Sequence, residues 1–176
     1  HWVIYLDNNS DKKGFINDFQ RRRIPLALEE FKPKNGRLFS AFTLDKLIED
    51  EDRHDKKILS SEHQKLETMS SGEQKRALLH YLLSEKPDYI ILDNPFENLD
   101  FAFQEELKSI LKKHAKDITF IQLASRKEDT LSFINNFGYL EKNDFLIIED
   151  SALDESDIPE TFNFINIPVS TTSFTN

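Results

Sequence analysis

Short unbroken apolar runs alternate with stretches of helical period along most of the chain. Trp2-Val3-Ile4-Tyr5-Leu6 has the length and continuity of a buried strand, and the turn formers Asp7-Asn8-Asn9-Ser10-Asp11 end it. A short helix is expected over residues 14–20. Residues 26–31 carry no decisive period, and Pro33-Lys34-Asn35-Gly36 reads as a turn into a strand at 37–42. Residues 43–54 predict a helix with Leu44, Leu47 and Ile48 on one face and acids on the other. Residues 58–68 are polar and irregular. A helix is expected over 72–84, with Ala77, Leu78, Tyr81 and Leu82 at helical spacing and Pro87 closing it. Then come a buried strand at 89–92, an amphipathic helix at 103–116, a strand at 118–123 and a helix at 130–137. Residues 139–141 and 145–149, separated by Lys142-Asn143-Asp144, predict a hairpin. Beyond about residue 150 the chain reads as a tail or linker, with an extra strand expected at 162–169. No internal repeat is visible.

Buried strands alternating with helices imply an α/β layered fold with a mainly parallel central sheet. Such folds place their ligands at the C-terminal ends of the strands. The 176 residues, 38% hydrophobic and 31% charged, suffice for one compact domain with a real core. The absence of Cys excludes disulfides, thiolate zinc sites and a thiol nucleophile. The net charge of −9 falls mostly on the last 34 residues, which carry seven acids and no base. The remainder is near neutral and lacks the basic field that duplex nucleic acid requires. No run approaches the roughly 20 apolar residues of a membrane span. The chain begins at His1, so it reads as a cytoplasmic fragment of a longer protein.

Two stretches carry candidate chemistry. Ser70-Ser71-Gly72-Glu73, ahead of an apolar helical pattern, fits a capping box, in which Ser and Glu satisfy each other's backbone N–H groups. Downstream lie Tyr89-Ile90-Ile91-Leu92-Asp93, then Asn94-Pro95, then Glu97-Asn98-Leu99-Asp100. This order resembles the ATP-binding-cassette (ABC) ATPases. Met69-Ser70-Ser71-Gly72-Glu73-Gln74 is similar to their signature motif, Tyr89–Asp93 to Walker B, and Glu97-Asn98-Leu99-Asp100 to the D-loop. The combination at this spacing is far more specific than any one piece. The resemblance implies a P-loop NTPase-like fold with a reduced helical subdomain, since the span before the signature is short. It implies a cassette over residues 1–150, lacking its N-terminal strands, and an acidic or polar tail over 151–176.

Extended towards the N-terminus, the resemblance lays Leu6-Asp7-Asn8-Asn9-Ser10-Asp11-Lys12-Lys13-Gly14 on the phosphate-binding Walker A loop. Lys12 takes the place of its lysine. The family's glycines are replaced by Leu6, Asn9 and Asp11, and its magnesium-binding hydroxyl by Lys13. A loop whose N–H groups converge on an anion needs glycine conformations. An Asp11 carboxylate about 4 Å from a phosphate oxygen would add roughly 1–4 kcal/mol of repulsion. A plain polar turn is the competing reading of residues 7–14. The family's catalytic glutamate falls on Asn94, and an amide cannot act as a base. Its switch histidine falls on Ser125, and no Gln marks a Q-loop near the end of the 37–42 strand.

ABC cassettes pair head to tail, each nucleotide lying between one domain's Walker motifs and the other's signature. The resemblance therefore implies a degenerate domain that supplies Ser70, Ser71, Gly72, Glu73 and Asp100 to a nucleotide held by a second cassette, on the same polypeptide or in a dimer. ATP and magnesium are the implied cofactors, with Lys12 and Asp93 as weak ligands in cis. The form of the motifs is similar to soluble tandem ABC proteins of the molybdate-transport type, which would make the acidic tail a linker. A competent ATP hydrolase using Lys12 and Asp93, and a nucleotide-independent structural pseudoenzyme, remain as alternatives. No nucleic acid and no direct membrane insertion are expected. His54, His63, His80 and His114 lack metal-ligand spacing. Arg21-Arg22-Arg23 and Glu49-Asp50-Glu51-Asp52 read as solvated surface.

Overall fold

The computed structural model describes residues 1–54 and 64–148. Six strands, β1 (Trp2–Leu6), β2 (Gly36–Phe39), β3 (Tyr89–Asp93), β4 (Thr119–Ala124), β5 (Asn136–Glu141) and β6 (Asp144–Ile148), form one sheet in the order β2-β3-β4-β1-β5-β6. The β2–β3 and β1–β5 pairs are parallel and β5–β6 is antiparallel. Four helices accompany them: α1 (Lys12–Gln20), α2 (Ala41–His54), α3 (Ser71–Ser84) and α4 (Phe101–His114). The expected α/β class with a mostly parallel sheet is what the chain forms. The chain divides into two compact units, His1–Lys34 with the chain from Leu123 onward, and Asn35–Gln122.

In the first unit, β1 is buried on both faces, as its continuous apolar run requires. Val3 and Tyr5 pack with Ala124, Tyr139 and Ile148. Trp2 meets the Phe145 ring edge-on, and Phe145, Phe15, Phe19 and Phe31 continue a chain of ring contacts with centroids 5.3–6.4 Å apart. The β5–β6 hairpin forms in the expected place, with Glu141 opposite Asp144.

The expected helix over 130–137 does not form. A 3₁₀ turn at Lys127–Asp129 is followed by irregular chain over residues 130–135 and then by β5, which starts at Asn136. The N–H groups of Asn135 and Asn136 donate to the His1 carbonyl, and Trp2 pairs with Asn136. The open edge of β1 captures a segment whose apolar spacing alone suggested a helix. Residues 26–31, undecided by pattern, form a 3₁₀ helix that buries Leu28 and Phe31.

In the second unit the strand expected at 37–42 stops at Phe39. Ser40 turns the chain, its hydroxyl accepting from the Thr43 N–H, and α2 begins at Ala41. The core gathers Leu66, Leu78, Leu79, Leu82, Ile90, Leu92, Leu107, Leu111 and Phe120. Glu51 is buried among them at 3% exposure, and its carboxylate accepts from the buried Leu66 N–H at 2.8 Å. The sequence had placed Glu51 on a solvated acidic face; in the structure it holds the 3₁₀ turn Leu66–Thr68 against α2. Gln74 of α3 donates to the Leu66 carbonyl, so both backbone groups of Leu66 are held. The acidic tail and the strand expected at 162–169 lie outside the described residues, as does most of the 58–68 segment.

Glu51→Ala strands the Leu66 N–H and should cost about 2 kcal/mol in urea unfolding. Glu51→Gln keeps an acceptor and should cost less than half of that.

Candidate functional site

In the first unit, β1 leads through residues 7–11 into α1, the strand–loop–helix order of a phosphate-binding loop. Lys12 is the first helical residue and is half-buried. The loop, however, is occupied by its own bonds. Asp7 Oδ1 accepts from the Asn9 N–H, and the Asp7 N–H donates to the Ser10 hydroxyl. The Ser10 and Lys12 N–H groups donate to the Asp7 and Ser10 carbonyls, and the Asp11 N–H crosses to the Lys142 carbonyl of the β5–β6 turn at 2.7 Å. Asp11 is the N-cap of α1, and its carboxylate accepts from the Gly14 N–H at 2.9 Å. That carboxylate lies where a Cβ on Gly14 would sit, so Gly14 makes room for the cap. The N–H groups of Asp7, Asn9, Ser10, Asp11, Lys12 and Gly14 thus all have acceptors within the chain.

Asp7 also accepts from the Tyr139 hydroxyl at 2.7 Å. That bond, more than any other contact, holds the Asp7 carboxyl below its usual value of 3.8, while burial and the Asp7 carboxylate push the Tyr139 phenol up. The pair is therefore a carboxylate and a neutral phenol at neutral pH. Ser125, also in this unit, is exposed just after β4. Sequence reasoning missed Tyr139 and Ser10 as braces of this loop. The only advance signal was the placing of Tyr139 in a strand that could flank β1.

In the second unit the signature-like, Walker B-like and D-loop-like residues come together. Ser70 caps α3: its hydroxyl accepts from the Glu73 N–H, and Glu73 Oε2 accepts from both the Ser70 N–H and the Ser70 hydroxyl at 2.8 Å. The capping box is real, and these bonds hold the Glu73 carboxyl below its usual range. The Ser71 hydroxyl donates to the Asn98 carbonyl at 3.2 Å. Gly72 is buried against α4, where a Cβ would lie 2.5 Å from the Phe103 ring, so only glycine fits. Asp100 is the N-cap of α4 and accepts from the Phe103 N–H. Asp93 ends β3, and Asn94 follows with a left-handed φ of 47° that asparagine tolerates better than most residues.

One residue the motif reading passed over ties these pieces together. Lys75, in the second turn of α3, donates from its ammonium to the carbonyls of Asn94, Pro95 and Glu97 at 3.3, 3.2 and 2.6 Å. Its place one turn before Leu78 and Leu79, on the buried face of α3, was the available signal.

The motif residues were singled out by sequence, and relatives carry the same kind of description. Over 88 residues (49% of the chain) it is 33% identical to the ABC transporter ATP-binding protein ModF of Escherichia coli, of which it covers 18%. Over 90 residues (50%) it is 30% identical to the molybdate/tungstate import ATP-binding protein WtpC of Pyrococcus horikoshii, covering 26% of it. Over about half of its length the chain is similar to ABC-transporter ATP-binding proteins. It spans about a fifth to a quarter of the length of these curated relatives. The fold agrees: the ADP conformation of MJ1267, an ATP-binding cassette of an ABC transporter, superposes with a TM-score of 0.55 at 16% identity, over 82% of this chain and 77% of that one. No protein-family model matches. Among the described residues no helix is long and apolar enough to cross a membrane.

Because the Asp7 carboxyl titrates lower when folded, the Asp7–Tyr139 brace contributes stability above about pH 3.8 and loses it as pH falls through the folded value. Tyr139→Phe should move the Asp7 titration, followed by carboxyl-carbon NMR, up toward its ordinary value.

Proposed function

We propose that this chain is a degenerate ABC-type domain that offers its α3 start and the turn before α4 to a nucleotide held by a second cassette, and binds little ATP of its own. The observation that carries this reading is the internal pairing of the loop over residues 7–14. A phosphate-wrapping loop acts through N–H groups left for the anion; here six of them already have acceptors. The Asp11 carboxylate sits at the start of α1, where negative charge is favoured, and would repel a second anion there. Lys13, where the family places a magnesium-binding hydroxyl, would repel the metal as well. These residues do not fit Mg·ATP in cis, and no step is assigned to it there.

On the other side of the proposed composite site, Ser70, Ser71, Gly72 and Glu73 begin α3, and Asp100 caps α4 beside them through Ser71–Asn98 and Gly72–Phe103. Once the Glu73 carboxylate turns aside, a helix of this length presents N-terminal donors and a favourable dipole to a partner's triphosphate. Phe101, 77% exposed at the start of α4, offers an aromatic anchor to the same partner. Asn94 lacks the carboxylate that a general base needs, and Ser125 lacks the imidazole of a switch histidine. The acidic tail then serves as the linker to the second cassette.

Titration of the chain with a fluorescent ATP analogue tests this reading. Binding should stay weaker than about 100 µM with magnesium present, and Lys12→Ala should leave it unchanged. Micromolar, magnesium-dependent binding lost in Lys12→Ala would establish the competing reading, a competent hydrolase using Lys12 and Asp93. Asn94→Glu alone should yield no measurable phosphate release, because the anion cradle remains closed.

A further inference from the structure

The turn between β3 and α4 carries the Walker B-like aspartate at one end and the D-loop-like residues at the other. Its backbone takes an uncommon shape. Asn94 and Asn98 both adopt left-handed φ values, 47° and 58°. Asparagine tolerates this region better than most residues, yet contacts from outside the turn are what hold two such residues in it together.

We propose that Lys75 is a positioning residue that locks this turn to α3, so that the signature-like helix start and the D-loop-like segment form one preassembled surface. An ammonium is a compact charge with three donors, and the carbonyls of Asn94, Pro95 and Glu97 supply three acceptors. Charge-assisted bonds of this kind are stronger than neutral ones. The three carbonyls converge on one ammonium across the stretch that the two left-handed residues bound, so the lysine contacts and that backbone shape occur together. Burial lowers the Lys75 pKa, while Glu97 first and then Asp93 oppose that effect, consistent with an ammonium held in a half-buried place. Among the described residues, further links between α3 and this region include the Ser71 hydroxyl on Asn98, the Gly72–Phe103 contact, the Arg76 guanidinium over the Phe103 ring, and the Arg76–Glu106 ion pair at 3.0 Å. Lys75 is the one of these that bonds to the first half of the turn, at the Asn94 and Pro95 carbonyls. The functional meaning of the lock rests on the reading proposed above; the lock itself does not.

The chain has no cysteine, which permits a clean test. Lys75→Cys, alkylated with 2-bromoethylamine in denaturant and refolded, restores an ammonium at nearly the original reach. Amide exchange without nucleotide is compared across wild type, Lys75→Met, Lys75→Cys and the aminoethylated protein. The Glu97 N–H, which donates to the Asn94 carbonyl, should exchange at least tenfold faster in Lys75→Met and Lys75→Cys, measured relative to the β3 amides. Aminoethylation should return it to within threefold of wild type, which a simple packing role would not do. Unchanged Glu97 exchange in Lys75→Met, or no recovery in the folded aminoethylated protein, overturns the proposal. Should the variants fail to fold, reductive methylation of the wild-type chain decides: Lys75 should react at least fivefold more slowly than the exposed Lys86 and Lys113, and equal reactivity overturns the lock. Neither assay contains ATP, so a failure of the composite-site reading and a failure of the lock give separate results.

Discussion

Every backbone N–H at the start of a helix must find an acceptor, and how this chain meets that demand shapes the rest of its structure. Ser40, Ser70 and Asp100 cap α2, α3 and α4 with their own side chains. Asp11 does the same for α1, but there the cap is only the last member of a network running back through Ser10, Asn9 and Asp7. Tyr139 and the Lys142 carbonyl tie that network to the β5–β6 hairpin. The loop that the sequence resemblance lays on a phosphate-binding loop is an internal structural joint.

The second unit is organised around α3. Its buried face carries Leu78, Leu79 and Leu82 into the core, and Lys75 one turn earlier spends its charge on the turn after β3. Upstream, Gln74 and Glu51 hold the two backbone groups of Leu66, so the chain entering α3 is fixed as firmly as the turn beside it. Position within the unit therefore comes from polar side chains acting on backbone, while apolar burial supplies the cohesion.

Much of this was legible from sequence where the signal was local. The apolar runs at β1, β3 and β4 and the hairpin turn were evident because continuous burial and turn chemistry leave strong patterns. The capping box was readable because Ser70 and Glu73 are three residues apart. The helix expected at 130–137 failed for the opposite reason: residues 130–135 form irregular chain tied to His1, 134 residues from Asn135, and 136–137 open β5 beside β1. The 37–42 strand overran because Ser40 can continue a strand or cap a helix, and only the Thr43 N–H decides. Lys75 and Glu51 escaped notice because a charged side chain is assumed to face solvent until the structure reveals a backbone group that needs it. Of the candidate site, the motif order could be read directly, whereas the self-pairing of the 7–14 loop depends on Tyr139 and Lys142, remote in sequence.

The same device, an acidic side chain on a helix start, occurs at α1 and at α3, and the energetics separate the two. Opening the 7–14 loop to an anion means breaking about six backbone-donated bonds at roughly 0.5–1.5 kcal/mol each, or about 3–9 kcal/mol. That rivals the whole stability of many domains, about 5–15 kcal/mol. At α3 the start is occupied by the capping box, whose Glu73 carboxylate is held by the Ser70 N–H and hydroxyl and by the charge of Arg76. A change of rotamer releases it, with no backbone bond lost beyond the box itself. On the reading proposed above, a triphosphate would meet one helix start that must be dismantled and one that can turn aside, and this difference is the physical ground of that proposal.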